Sequence, residues 1–188
     1  MANKVYSIDL GKGDLIKLEN EIYEVLDKEF FKPGKGAPVI RTKLKNYLTG
    51  KVIDRNFRNN ETFELIELDF KSASFLYKDR RSAIFVLKES NQRISFPLEA
   101  VQDKLYYLTP EIECEIVYYE EKPIGLKIPV KVALKVVEAP PAVKGNTVTS
   151  ATKTVTLETG LKINVPIFIK EGEKIIINTE TGQYCERE

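Results

Sequence analysis

Turn signals recur along this chain at intervals of about 8–12 residues, and no stretch long enough for a three-turn helix shows a 3.6-residue apolar period. Glu19-Asn20-Glu21, Leu48-Thr49-Gly50, Arg58-Asn59-Asn60, Asp79-Arg80-Arg81 and Thr181-Gly182 separate short runs rich in Val, Ile, Phe, Tyr and Thr. Strands this short cannot each bury a face alone, so the pattern predicts an all-β protein of small closed barrels. The grouping of the runs predicts three in tandem, at residues 1–63, 64–129 and 130–188, the second and third fitting five-stranded OB folds. Expected elements include strands over 65–70, 73–77, 83–87 and 162–169, and a short helical turn around 98–101.

The 188 residues are 43% hydrophobic and 30% charged, enough for packed cores and unlike a disordered chain. No window reads as a membrane span, and the start lacks an apolar signal core, so a cytoplasmic location without membrane contact is expected. There is no histidine, which removes His-dependent nucleophile arrangements and His metal sites. The two cysteines, Cys114 and Cys185, form no CxxC pair. No spaced carboxylate pair stands in a recognisable motif, so neither an enzyme nor a cofactor is expected. A carboxylate-lined hydrolase or transferase surface is the weaker competing reading.

Net charge is only +1, but it is unevenly distributed. Residues 28–58 carry Lys28, Lys32, Lys35, Arg41, Lys43, Lys45, Lys51, Arg55 and Arg58 against Glu29 and Asp54 alone. Within that segment lies Lys32-Pro33-Gly34-Lys35-Gly36-Ala37, between two runs that read as strands. Pro33 fixes its own φ and extends Lys32, while Gly34 and Gly36 can take φ > 0, so a tight turn can form around Lys35. Read alone, this is a hairpin turn with a solvated lysine; read with the basic segment, it is a slim cationic tip suited to phosphate backbones.

Beyond these patterns the chain resembles the bacterial elongation factor P family along its whole length. The resemblance rests on Lys32 to Ala37, Arg41-Thr42-Lys43-Leu44-Lys45-Asn46, Leu48-Thr49-Gly50, Leu76-Tyr77-Lys78-Asp79, Val143-Lys144-Gly145-Asn146-Thr147, Thr159 to Ile169 with Glu171-Gly172-Glu173, and the tail Thr179 to Arg187. It implies an L-shaped monomer with an SH3-like (KOW-like) first barrel. It further implies binding to the ribosome and its RNA beside the peptidyl-tRNA, where peptide-bond formation at consecutive prolines is stimulated. Lys35 matches the tip lysine that approaches the CCA end and that a modifying enzyme extends in some members. Arg41, Lys43 and Lys45 would face RNA. Gly145-Asn146-Thr147 matches a codon-side Gly-Asp-Thr loop, with Asn146 removing a charge. Tyr184 and Arg187 match residues on the anticodon-stem side of the tRNA. Glu180 stands where the family usually has arginine, and with Asn146 it motivates the alternative of a ribosome-binding paralogue with a divergent role.

Overall fold

The structure, a computed structural model, describes residues 4–34, 37–141 and 152–188. These residues fall into two compact units, one reaching to Asp69 with Tyr119–Lys122, the other comprising Phe70–Tyr118 and Pro123–Glu188. Strands dominate, and α1 is the one α-helix among the described residues. No helix in them is long and apolar enough to cross a membrane.

The first unit contains β1 (Lys4–Tyr6), β2 (Leu15–Leu18), β3 (Glu21–Phe31), β4 (Val39–Asn46), β5 (Val52–Arg58) and β6 (Thr62–Glu64). Strands β2-β3-β4-β5 form an antiparallel sheet, and β1 pairs with β6. A bridge from Ile16 to Leu65 links the two layers. The β2–β3 connection is Glu19-Asn20, with φ of 51° and 71°, a left-handed pair whose twist matches hairpin strands. Alternation along β4 buries Ile40, Thr42, Leu44 and Asn46 and exposes Arg41 and Lys43. Ile40 and Leu44 join Leu10, Ile16, Tyr23, Val25, Phe57 and Phe63 in one core. The buried Thr42 hydroxyl donates to the Arg55 carbonyl at 2.9 Å, so its polar atom is satisfied. Asn46 ends the strand: its Oδ1 accepts the Leu48 and Thr49 N–H groups at 3.1 and 2.9 Å. Gly50 completes that turn at φ +72°, where a Cβ would be strained.

The second unit holds two sheets of the same topology. The first has β7 (Asp69–Lys78), β8 (Ser82–Leu87), β9 (Arg93–Pro97), helix α1 (Leu98–Leu105), β10 (Glu113–Tyr119) and β11 (Lys122–Lys127), in spatial order β11-β10-β7-β8-β9. The other has β12 (Lys131–Glu138), β13 (Thr152–Leu157), β14 (Lys162–Pro166), β15 (Lys174–Asn178) and β16 (Gln183–Arg187), in order β14-β13-β12-β15-β16. In both, the first strand is central, the second and third lie to one side, and the fourth and fifth to the other. In the second sheet the edge strands β14 and β16 approach each other and close the curl. This is the OB arrangement expected from the strand spacing. Ile112 packs against both cores, and Thr159 Oγ1 donates to the Tyr106 carbonyl at 2.7 Å, so the two barrels share packing within one unit.

Several sequence expectations are corrected. Residues 65–68 are not a strand; only Leu65 makes a bridge, and Ile66 N–H bonds the Leu15 carbonyl at 2.8 Å. Burial of Ile66 within the first unit takes precedence over its alternation. The stretch over 162–169 ends as a strand at Pro166, which has no N–H to donate. Ile167 and Phe168 are exposed in the turn that follows, and Ile169 re-enters the core. The helical turn at 98–101 extends to Leu105, because Val101 and Leu105, four apart, both reach the core. Strand β1 was not expected; three residues give too short a pattern to read.

Leu44→Ala removes a fully buried side chain from the first core and is expected to lower stability by about 2–5 kcal/mol in chemical denaturation.

Candidate functional site

The β3–β4 hairpin is built to a simple rule. Its register pairs Phe31 with Val39, Glu29 with Arg41 and Asp27 with Lys43, so residues equidistant from Lys35 face one another. Beyond Asp27 a bulge inserts Leu26, and Glu24 then lies opposite Lys45. Strand β5 flanks β4 as far as Val39, which pairs with Arg58. The sheet is therefore three strands wide up to the last pair, and only residues 32–38 extend past it.

In that loop Lys32 and Gly34 are exposed and Pro33 is partly buried. Lys35 and Gly36 lie outside the described residues, so their conformation is not part of the structure. Gly34 is not in the left-handed region, and a Cβ there would meet nothing within 4 Å. Its small size is thus not required by the fold, which differs from the turn chemistry expected of it. Apart from the two lysines, the loop has only proline, glycine and alanine.

The expected basic residues of β4 have acidic neighbours that counting along the sequence did not associate with them. Arg41 lies 3.7 Å from Glu29, and its guanidinium sits 3.8 Å from the centre of the Phe31 ring. Both side chains of the ion pair are about half-exposed or more, so it contributes at most about 1 kcal/mol. The Phe31 ring holds the guanidinium near the top of the stem. Lys43 faces Asp27 on one side and Asp54 on the other; Lys45 faces Glu24 and Val52. The outward face of the stem is consequently a ladder of mixed charge. Past the last strand pair the next cation is Lys32, which forms no ion pair among the described residues. Arg55, on β5, is held by Glu19 at 3.2 Å, and Lys28 Nζ donates to the Ile8 carbonyl at 2.7 Å, tying β3 to the first turn of the chain.

The second expected site is at the C-terminal strand. A bulge at Cys185 lets Ile177 pair with Tyr184, Ile176 with Glu186 and Ile175 with Arg187. Tyr184 and Arg187, three apart, thereby project from the same side of β16. Tyr184 packs against the core of its barrel, and Arg187 lies 3.4 Å from Glu173. Asn178 organises the preceding turn, its Oδ1 accepting the Glu180 and Thr181 N–H groups at 2.9 and 3.0 Å. The expected codon-side loop, Gly145-Asn146-Thr147, lies outside the described residues. Among the described residues no cluster of His, Cys, Asp and Glu could hold a metal.

A barrel of the KOW-like class followed by two OB barrels is the domain order of a protein of the translation-factor kind. Family models agree domain by domain: residues 7–63 match the elongation factor P KOW-like domain, 68–126 its OB domain, and 132–187 its C-terminal domain. The chain belongs to the elongation factor P family. It is 42% identical to elongation factor P of Thermotoga maritima over 95% of this chain and 97% of that one. It is also 42% identical to that of Syntrophus aciditrophicus over 95% and 96%, and 37% identical to that of Petrotoga mobilis over 95% and 97%. Among solved structures, eukaryotic translation initiation factor 5A from Methanococcus jannaschii aligns with a TM-score of 0.49 and 17% identity over 68% of this chain and 92% of that chain, too distant to carry further argument.

The thiols differ sharply. Cys114 is buried, its Sγ donating to the Ala73 carbonyl at 3.3 Å, and burial pushes its pKa up to about 12. Cys185 is exposed in the β16 bulge. In a timed alkylation of the native protein near pH 8, one thiol should react readily, mapping to Cys185. Cys114 should react only after denaturant is added.

Proposed function

We propose that this protein binds the ribosome beside the peptidyl-tRNA and stimulates peptide-bond formation, relieving stalling at consecutive prolines. The observation that carries the reading is the β3–β4 hairpin: three strands wide to its last pair, then a loop of small residues around Lys35. Family membership supports it. A loop with so little side-chain bulk can enter a narrow RNA cleft, and a lysine at its end can contact phosphate or ribose near the CCA end.

In this reading Lys35 acts by position. A cation that restrains the peptidyl-tRNA end lowers the entropic and orientational part of the barrier, while the ribosome performs the chemistry. Prolyl acceptors and donors, being poorly oriented, gain most. Lys35 is also the residue on which an enzymatic extension would act, since lengthening it adds reach without adding an anion. Lys32, Arg41, Lys43 and Lys45 contribute the surrounding field, with the acids of β3 limiting its spread down the stem. Gly145-Asn146-Thr147, Tyr184 and Arg187 would face the codon and anticodon-stem side.

Lys35→Ala should leave the melting temperature within about 1 °C of wild type, since it changes no residue of the first core. It should abolish stimulation of Pro-Pro-Pro synthesis in a reconstituted translation system. Full stimulation by the variant would remove the tip from the mechanism. Intact-mass measurement of the protein from its native host, with mapping of residues 29–41, reads out any group on Lys35.

A further inference from the structure

The β7–β8 turn of the central barrel, Tyr77-Lys78-Asp79-Arg80-Arg81, has features that packing alone does not require. Strand β7 bulges between Phe75 and Tyr77: Phe75 pairs with the buried Phe85, but Tyr77 pairs with Ile84 and Lys78 with the buried Ala83. Without that extra residue Tyr77 would follow Phe75 toward the core. With it, Tyr77 points outward and is 50% exposed. Lys78 is sent to the other side, where it lines a cleft with Phe75, Glu111 and Glu158.

The turn itself is fixed. Asp79 Oδ1 accepts the N–H groups of Arg81 and Ser82, both at 2.7 Å, and Asp79 N–H bonds the Ser82 carbonyl at 2.9 Å. Those two backbone donors, Arg81 first, hold the Asp79 carboxyl below its ordinary pKa. The Arg81 carbonyl accepts the Leu98 N–H at 2.8 Å, pinning the turn to the start of α1. The one acid of the turn is therefore held by backbone donors and forms no ion pair with Arg80 or Arg81. Arg80 and Arg81 are exposed, and neither forms an ion pair among the described residues. Some other cations of this barrel do have partners: Lys88 is paired with Glu113, Lys127 with Glu115 at 2.9 Å, and Lys71 lies 4.5 Å over the Tyr118 ring.

An outward aromatic ring beside two adjacent unpaired arginines, on a turn that is already ordered, matches what an OB fold offers to a nucleic acid. The loop joining its first two strands is one of the places where this fold binds oligonucleotides. We propose that the β7–β8 turn is a second RNA contact of this protein, Arg80 and Arg81 engaging backbone phosphates and Tyr77 stacking on an exposed base. A protein partner would be expected to present acidic side chains, but the flat exposed ring beside the guanidinium pair favours RNA. The inference rests on the proposed ribosomal function and adds a contact distant in sequence from Lys35. Its RNA is either transfer RNA or ribosomal RNA.

The test is binding of labelled protein to ribosomes holding peptidyl-tRNA on Pro-Pro-Pro, across a potassium chloride series. Arg80→Glu with Arg81→Glu should raise Kd roughly tenfold and reduce the slope of log K against log salt by about 2. Replacing both arginines by lysine should keep the slope. Tyr77→Ala should raise Kd by about fivefold or more with the slope unchanged. Where charge reversal lowers the melting temperature, Arg80→Ala with Arg81→Ala takes its place. Hydroxyl-radical cleavage from an iron chelate on Arg80→Cys, in a Cys185→Ser background, should cut RNA; which RNA is cut identifies the source. Wild-type binding with an unchanged double variant overturns this inference alone. Weakened binding without RNA cleavage assigns the turn to a protein partner and overturns it too. Failure of the wild type to bind overturns it together with the proposed function.

Discussion

Cross-strand pairing between β3 and β4 is the interaction on which the rest of the first barrel depends. It sets the register that buries Val25, Ile40 and Leu44 on one face and sends the charged side chains to the other. Slipping that register by one residue would invert every side chain of β4, placing Arg41, Lys43 and Lys45 in the core. Burial of a single isolated cation would be prohibitive, so the apolar face holds the register strongly. Strand β5 reinforces it by pairing along β4 to Val39. The tip therefore starts from a fixed platform. Its slenderness comes from composition, since residues 32–38 contribute two lysines and otherwise only small or cyclic side chains.

Electrostatics divides the hairpin into two zones. Along the stem, each base of β4 has an acid across the pair, and these exposed pairs add little stability. Their effect is on the field: neighbouring opposite charges cancel within about a Debye length, so little net potential extends sideways. At the end of the hairpin the acids stop at Glu29, while Lys32 and Lys35 continue. The positive potential is thus concentrated where the chain is thinnest. Such an arrangement directs attraction for anions to the tip and limits it along the flanks.

Much of this architecture was legible because strands announce themselves by alternation and turns by Gly, Pro, Asn and Asp. The Glu19-Asn20 turn, the β3–β4 hairpin and the closing Thr181-Gly182 turn all appear where the residues indicate. The bulges at Leu26, Leu76 and Cys185 do not, because an inserted residue looks like ordinary irregularity until a partner strand defines the pairing. The last two have consequences for surface chemistry, re-aiming Tyr77 outward and aligning Tyr184 with Arg187. The basic segment 28–58 is less one-sided in space than in sequence, since Glu24 and Asp27 precede it in the chain yet face its lysines. Folding the sequence symmetrically about Lys35 would have found Asp27 and Glu29. Residues 65–68 misled because apolar alternation is shared by strands and by linkers that pin themselves to a core.

The central claim is that the stem's reach and rigidity make Lys35 effective. Deleting Lys28-Glu29 together with Arg41-Thr42 removes two facing pairs, preserves inward–outward alternation and leaves the tip sequence intact. At about 3.4 Å per residue the tip would retract by about 7 Å. The decisive measurement is the rate of Pro-Pro-Pro peptide-bond formation with this shortened protein, its fold checked by thermal melting. The account predicts loss of stimulation comparable to removing Lys35, with ribosome binding retained. Full stimulation by the folded, shortened protein would contradict it.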